Sequence, residues 1–486
     1  MTGPHNVNLQ VAARQCMLEH GFDPDFSKAV QEEVQSLQAH PPVPQPDVRD
    51  LRALLWSSID NDTSRDLDQI ELAQEMEDGM VRIQIAIADV DAYVRAGSAI
   101  DKHAAEQTTT VYTGVRNFSM LPDELSTGLT SLLEGQERFC VVYEFSVDSE
   151  GCVGTSNISR ASVQNHAQLA YPSVGAWLQS GKNAPGKVAA SDALQKQLLL
   201  QNHVAQQLRK ERYRRGALNL ETIETHPLVT NGDPVDIETQ QRSVASDLIE
   251  DLMIAANEVV AKSLEQAGLS SIRRVVKTPK RWDRIVELAA QLGTKLPGAP
   301  DSKALHDFLC DRRAADPDHF PDLSLAVIKL LGSGEYVLER VGESAEGHFG
   351  LAVQDYTHST APNRRYADLV TQRLIKAILA KQRSPYLDND LAAIAQQCTK
   401  QEDAARKVER EMRKRIAAVV MQRRIGQTFT AIVTGVNEHG SFVRTTRPYV
   451  EGMLVRGQKG VDVGDKITVT LVHTDRERGY IDFARS

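Results

Sequence analysis

Asp60, Asp66 and Asp68 fall within nine residues, in the stretch Ser57-Ser58-Ile59-Asp60-Asn61-Asp62-Thr63-Ser64-Arg65-Asp66-Leu67-Asp68-Gln69. Carboxylates so concentrated repel one another, and folding them together is costly unless a positive charge sits among them. A hard divalent cation suits that position best. Mg²⁺ takes oxygen ligands and retains sites for phosphate and water. A solvated acidic turn is the plainer reading of such a stretch. Far downstream, a second charged motif argues against it: Tyr356-Thr357-His358-Ser359-Thr360-Ala361-Pro362-Asn363-Arg364-Arg365-Tyr366-Ala367-Asp368-Leu369. Arg364 and Arg365 stand at the first turn of an expected helix. Cations there oppose the helix dipole, which favours anions, so the placement points to an anionic partner. A forked guanidinium suits phosphate. Pairing of both arginines with surface acids is the competing reading.

Specific elements must position these groups. Asp60 closes a short apolar run, so it ends a strand, and Asn61 to Ser64 is turn chemistry. Asp66 and Asp68, two apart, project from one face of extended backbone. Ala361-Pro362-Asn363 reads as a turn. Leu369, Val370, Arg373, Leu374, Ala377 and Ile378 then recur at helical spacing. Residues 47–160 alternate like sheet, with Ile83, Ile85 and Ile87 and then Val141, Tyr143 and Phe145 at period two. Residues 192–215, 243–266, 280–292 and 388–423 read as helices. The expected fold class is therefore α+β and multidomain. A helical unit with a Pro-rich linker (His40-Pro41-Pro42-Val43-Pro44-Gln45-Pro46) covers 1–46, and Ser27 caps its second helix. Its two helices allow a helix-turn-helix expectation. The large mixed domain spans 47–380, a helical extension 381–424, and five short strands over 425–486 suit an OB-type barrel, with a turn at Glu438-His439-Gly440.

Together the motifs resemble the catalytic RNB domain of the RNase II/RNase R family. The resemblance includes Arg49-Asp50-Leu51-Arg52, Ile85-Ala86-Ile87-Ala88-Asp89-Val90, Met120-Leu121-Pro122, Arg215-Gly216-Ala217-Leu218-Asn219-Leu220-Glu221 and Ile249-Glu250-Asp251-Leu252. Val433-Thr434-Gly435-Val436 followed by Gly440-Ser441-Phe442-Val443 looks like an S1-type RNA-binding domain. The resemblance implies a 3′-to-5′ exoribonuclease that hydrolyses single-stranded RNA to nucleoside 5′-monophosphates. It implies that Asp60, Asp66, Asp68 and Gln69 occupy the positions that hold Mg²⁺, with Mn²⁺ as an alternative. Asp68 matches the most critical acid, acting with Asp66, and Arg364 matches the phosphate-binding arginine. Tyr112 matches the aromatic that stacks on the terminal base. Arg365, Phe429 and Phe442 join the expected RNA contacts, the two rings as stacking faces, with Arg444 and Arg447 attracting the backbone.

The sequence departs from the family pattern in places. The acidic loop usually carries a fourth Asp where this chain has Gln69, which implies weaker metal affinity or a ligand recruited from elsewhere, Glu71 and Asp62 being the candidates. Leu220 stands where relatives often place a base-clamping Phe. Ala361-Pro362-Asn363 and Gln372 replace the usual Ser-Pro-Ile and His. Only residues 1–46 precede the RNB-like region, where relatives carry two cold-shock domains; the implied mouth for RNA is more open.

The net charge of −9 is unusual for a nucleic-acid binder. Net charge describes the whole surface, however, not one groove. Basic residues cluster at Arg273, Arg274, Lys277, Lys280 and Arg281, and again from Arg406 to Arg415. The five cysteines show no spacing that suits zinc and are expected as free thiols of a cytoplasmic protein. The N-terminus lacks the basic start and apolar core of a signal peptide, and no apolar run approaches a membrane span. A monomer is the default, with assembly alongside other RNA-decay proteins open. Two alternatives remain: a catalytically weakened RNA-binding relative, and a metal-dependent single-strand DNA exonuclease.

Overall fold

A computed structural model describes residues 8–43, 47–230, 233–240, 242–343, 346–438 and 440–486. Pro44, Gln45 and Pro46 of the expected linker, and His439 of the expected turn, lie outside the described residues.

Two helices open the described chain. Asn8 caps α1 (Leu9–Glu19), and Ser27 caps α2 (Lys28–Ala39) through the Val30 N–H. Their apolar faces go to different neighbours. Ala13, Cys16 and Met17 cluster with Val408 and Met412, whereas Val30 and Val34 enter the main core. Both helices spend their buried faces on packing into the body.

The central sheet contains β1 (Arg49–Asp50), β2 (Trp56–Asp60), β3 (Gln69–Glu75) and β4 (Val81–Ala88). After α3 (Ala99–Gln107) and a small hairpin of β5 (Val111–Tyr112) and β6 (Asn117–Phe118), β7 (Glu137–Val147) and β8 (Val153–Ala170) complete it. The strand order is β1-β8-β2-β3-β4-β7. β8 also pairs with β7 along its first part and runs parallel to β2 near its end, so the sheet curls back on itself. The period-two apolar residues meet in register, with Ile83, Ile85 and Ile87 opposite Phe145, Tyr143 and Val141, all buried. Alternation thus placed the core face correctly.

Helices cover this sheet: α4 (Tyr171–Ser180), α5 (Gly186–Ala189), α6 (Asp192–Arg215) and, after the hairpin of β9 (Glu224–Thr230) and β10 (Asp233–Gln240), α7 (Val244–Gln266). Beyond the pair β11 (Ser271–Val275) and β12 (Glu335–Glu339) lies a second core. It is built by α8 (Trp282–Gln291), α9 (Ser302–Ala315) and α10 (Phe320–Leu331). Leu220 packs into that second core. The basic group from Arg273 to Arg281 is partly consumed by acids: Arg273 pairs with Glu339, Arg274 with Glu402 and Lys277 with Glu335.

After α11 (Tyr366–Leu379), α12 (Asp388–Gln422) runs about 50 Å and connects the body to the barrel. β13 (Thr428–Asn437), β14 (Gly440–Thr445), β15 (Glu451–Arg456), β16 (Lys466–Asp475) and β17 (Tyr480–Arg485) close in the order β13-β14-β15-β17-β16. The α+β class with a terminal OB-like barrel is observed. No helix among the described residues is long and apolar enough to cross a membrane.

Candidate active site

Local anchors shape the acidic loop. Asp60 ends β2, and its Oδ1 accepts from the Asn61 N–H (2.7 Å) and the Ser64 hydroxyl (2.8 Å), closing a turn of the kind short polar residues favour. Leu67 drops into the core between the two remaining acids. Its N–H donates to Ser131 Oγ (3.0 Å), and its carbonyl accepts from the Leu132 N–H (3.0 Å). The Asp68 carbonyl accepts from the Ala88 N–H (3.0 Å). With its backbone pinned on both sides, the loop leaves Asp66 half-buried and Asp68 buried.

Asp68 is 2% exposed. Its Oδ1 accepts the Asn363 N–H (2.9 Å), and its Oδ2 accepts from Arg364 Nε (3.3 Å). Burial pushes its carboxyl up to about 7 against the opposing pull of Arg364 and Asn363. Burial also raises Asp66. The Tyr112 hydroxyl reaches Asp66 Oδ2 at 3.4 Å. Thus residues 296 positions apart meet, and the arginine retains a partly open guanidinium, its side chain 43% exposed. The Arg364 carbonyl accepts the Thr110 N–H (3.0 Å), and the Tyr366 N–H donates to the Thr108 carbonyl (2.8 Å). These bonds tie the arginine loop to the strand carrying Tyr112.

The two adjacent arginines differ. Arg365 donates from Nε (2.9 Å) and from its terminal nitrogen (2.7 Å) to the fully buried Asp368, which also accepts the Ala361 N–H. Its expected RNA contact is corrected: the fork is spent on holding the turn. Phe429 is likewise corrected. It is buried in the barrel core edge-on to Phe483 (centroids 6.3 Å apart), as the small barrel's need for filling dictates. Arg444 is only 5% exposed, pairs with Asp322 of α10 and lies over Tyr449, so it docks the barrel onto the body. Phe442 does line the groove.

That groove, about 1920 Å³, runs from Asp66 and Tyr112 to the barrel face at Phe442 and Tyr480. One wall is α12, contributing Arg410, Arg413 and Lys414, all exposed. A protein with net charge −9 thereby presents a basic wall beside its acidic centre.

Sequence reasoning missed several supports. Glu409 accepts the Tyr112 N–H (3.0 Å), and Thr130 donates to the Asn363 side chain (2.6 Å). No local spacing signals either contact. Gln372 bonds the Asp91 N–H and the Ala88 carbonyl, pinning α11 to the sheet. All five cysteines are free thiols. Cys16 and His20 converge with Glu411, the three ligand atoms lying within 4.8 Å, and both hydrogen-bond it. The contact joins α1 to α12, an arrangement that sequence spacing did not reveal.

Edge-on to Tyr356, His348 accepts the Leu351 N–H through Nδ1 (3.1 Å), and burial lowers its imidazole to about 4. The unfolded chain, with histidine near 6.5, binds that proton first, so stability is present above pH 6.5 and lost as pH falls towards 4. The urea midpoint advantage of wild type over His348→Asn is expected to narrow across that window.

A curled sheet offering carboxylates to an arginine in the turn before a helix, joined by one groove to a five-stranded barrel, is the architecture of the RNB class. The chain belongs to the RNB family: the RNB domain matches residues 48–381, and the RNase II-type exonuclease C-terminal S1 domain matches residues 427–486. Ribonuclease R 1 of Lactococcus lactis is 30% identical over 89% of this chain and 56% of its own length. Ribonuclease R of Escherichia coli is 29% identical over 92% and 56%. The chain thus spans somewhat over half the length of these curated relatives. Among solved structures, apo Mycoplasma genitalium RNase R superposes with a TM-score of 0.86 at 24% identity, covering 99% of this chain and 78% of that one. Yeast Ssd1, a pseudonuclease, shares the fold at a TM-score of 0.72 and 14% identity, over 96% and 59%. Fold alone therefore does not decide activity; the side chains must.

Proposed function

We propose that this chain is a 3′-to-5′ exoribonuclease that hydrolyses single-stranded RNA to nucleoside 5′-monophosphates with Mg²⁺, or Mn²⁺, in cytoplasmic RNA turnover. The carrying observation is the approach of Arg364 to Asp68 (3.3 Å), in a cluster whose Asp66 and Tyr112 line the groove. The ribonuclease R names of the relatives support the same reading, as does the structure of the Mycoplasma enzyme in complex with ribose-methylated single-stranded RNA.

The donor set fits a hard cation, since Asp60, Asp66, Asp68 and Gln69 offer oxygen only. Mg²⁺ held there would supply charge stabilisation at the scissile phosphate. Asp68, oriented by the Asn363 N–H and Arg364, would position the attacking water. The open side of the Arg364 fork would bind the phosphate and stabilise charge developing on its oxygens. Tyr112, 40% exposed, would stack on the terminal base, and Arg410, Arg413 and Lys414 would hold the backbone along the groove. The chain carries the residues for one complete site, in keeping with a monomer.

Incubating the protein with 5′-labelled single-stranded RNA and DNA, with Mg²⁺, Mn²⁺ or EDTA, tests the reading. The expected result is a metal-dependent ladder on RNA alone, shrinking from the 3′ end. Binding without any shortening would instead favour the weakened-relative reading, which the presence of Asp60, Asp66, Asp68 and Arg364 disfavours. Equal shortening of DNA would move the assignment to a single-strand DNA exonuclease.

A further inference from the structure

Cys16, His20 and Glu411 converge outside the candidate active site, and the proposed hydrolysis uses none of them. Cys16 and His20 stand four residues apart, so the end of α1 presents both on one face. Glu411 reaches them from α12, 391 positions beyond His20 along the chain. The Cys16 thiol donates to Glu411 Oε2 (3.5 Å), and His20 Nε2 lies 3.0 Å from Glu411 Oε1. All three ligand atoms fall within 4.8 Å of one another, and no other trio of Cys, His, Asp or Glu among the described residues converges in this way. Cys16 is fully buried, whereas the side chains of His20 and Glu411 keep 23% and 41% of their surface open to water. The other charges acting on the thiol are Arg415 and Glu19, which are opposite in sign.

We infer that Cys16, His20 and Glu411 bind a thiophilic divalent ion of the Zn²⁺ class, with a water in the fourth position. Thiolate, imidazole and carboxylate form a donor set that Zn²⁺ takes and Mg²⁺ does not. In a tetrahedral zinc site, bonds of about 2.0–2.3 Å set neighbouring ligand atoms about 3.5 Å apart. The separations of 3.5 and 3.0 Å already approach that spacing, so an ion enters with small side-chain adjustments. On entry a Zn–S bond replaces the S–H bond and the thiol proton leaves to solvent, so affinity rises with pH. Thiolate and carboxylate together balance the two charges of the ion, which offsets the cost of placing it beside a buried sulfur. The bound ion fastens α1 to α12. Cys16 shares its apolar cluster with Val111 and Phe118 of the hairpin that carries Tyr112, and Arg410, next to Glu411, lines the groove. The ion is therefore structural, and it is separate from any cation at the acidic loop. Sequence spacing gave no zinc signal because the ligands come from two helices far apart in the chain.

The test takes the full chain, stripped with EDTA and kept under a non-thiol reductant, and adds Co²⁺ or Zn²⁺ alone. The proteins are wild type, Cys16→Ser, His20→Gln, Glu411→Gln and, as a control on an exposed thiol, Cys310→Ser. Co²⁺ stands in for Zn²⁺, and its near-ultraviolet thiolate charge-transfer band reports a Co–S bond while ignoring ions held by carboxylates alone. The band is expected in wild type and Cys310→Ser and absent in Cys16→Ser. Co²⁺ affinity read from it should fall about 100-fold or more in His20→Gln and Glu411→Gln, because losing a direct ligand costs more than losing a group that only orients one. The rise in thermal midpoint that Zn²⁺ confers on wild type should shrink in all three site variants. Midpoints in EDTA show which variants fold. Glu411→Gln preserves shape at a partly exposed position, so it decides the matter if Cys16→Ser is unstable. No band in wild type, a band that survives Cys16→Ser, or wild-type Co²⁺ affinity in Glu411→Gln would overturn the site and leave the trio as a hydrogen-bonded contact between helices.

Discussion

Asp68→Asn is expected to reduce kcat on single-stranded RNA by about 10³-fold or more, with RNA affinity in EDTA unchanged. A cation-linked carboxylate at the reacting phosphate supplies several kcal/mol of transition-state stabilisation, and each 1.36 kcal/mol is about a decade in rate. RNA affinity comes instead from the basic α12 wall and the aromatic groups of the groove, which the substitution does not touch. Stability should move the other way. Burial raises the Asp68 carboxyl to about 7, so above that pH the native state carries an ionised group it disfavours. A carboxyl raised in the folded state adds stability at low pH and loses it as pH rises through the folded value. Asparagine retains an acceptor for the Asn363 N–H without the charge. The variant should therefore melt at or above the wild-type temperature at pH 8 in EDTA. Single-turnover kinetics, fluorescence anisotropy and calorimetry measure the three quantities. Activity retained within tenfold would remove Asp68 from the chemistry.

Neighbouring arginines should give opposite phenotypes. Arg364→Ala is expected to lower kcat by about 10²- to 10³-fold, the scale of deleting one preorganised charge donor. Its stability should change by no more than about 1 kcal/mol, because its side chain is 43% exposed and Asp68 can take up a proton when the cation leaves. Arg364→Lys should not restore the rate, since an ammonium lacks the planar fork. Arg365→Ala strands the fully buried Asp368 and should destabilise the fold by about 3–5 kcal/mol. Urea denaturation with parallel kinetics separates the two. A stable, slow Arg365→Ala and an unfolded Arg364→Ala would reverse the assigned roles.

Much of the architecture was legible because periodicity is local. The strands through Ile85 and Tyr143 follow from alternation alone, and the long helix from Asp388 to Gln422 from helical spacing. Less was legible where one residue type serves two purposes. Phe429 and Phe442 look alike in sequence, yet strand register sends one into the barrel core and leaves the other along the groove. Arg444 carries the composition of a nucleic-acid contact and is instead tied to Asp322 on α10. The helices Ser302–Ala315 and Phe320–Leu331 form a second core that the sequence reading did not foresee.

By itself the sequence determined which groups are available for chemistry: clustered carboxylates, a guanidinium pair in a turn before a helix, and strands short enough for a barrel. Side-chain type and local spacing carry that information, because ionisation, hydrogen-bonding capacity and backbone preference belong to each residue. Only the tertiary structure decided which groups meet. Arg364 faces Asp68 and Arg365 faces Asp368, Glu409 supports Tyr112, and Glu71 is sealed in the interior. Each of those outcomes depends on burial and on contacts between segments far apart in the chain, and the free energy of a charge changes more with its surroundings than with its neighbours in sequence.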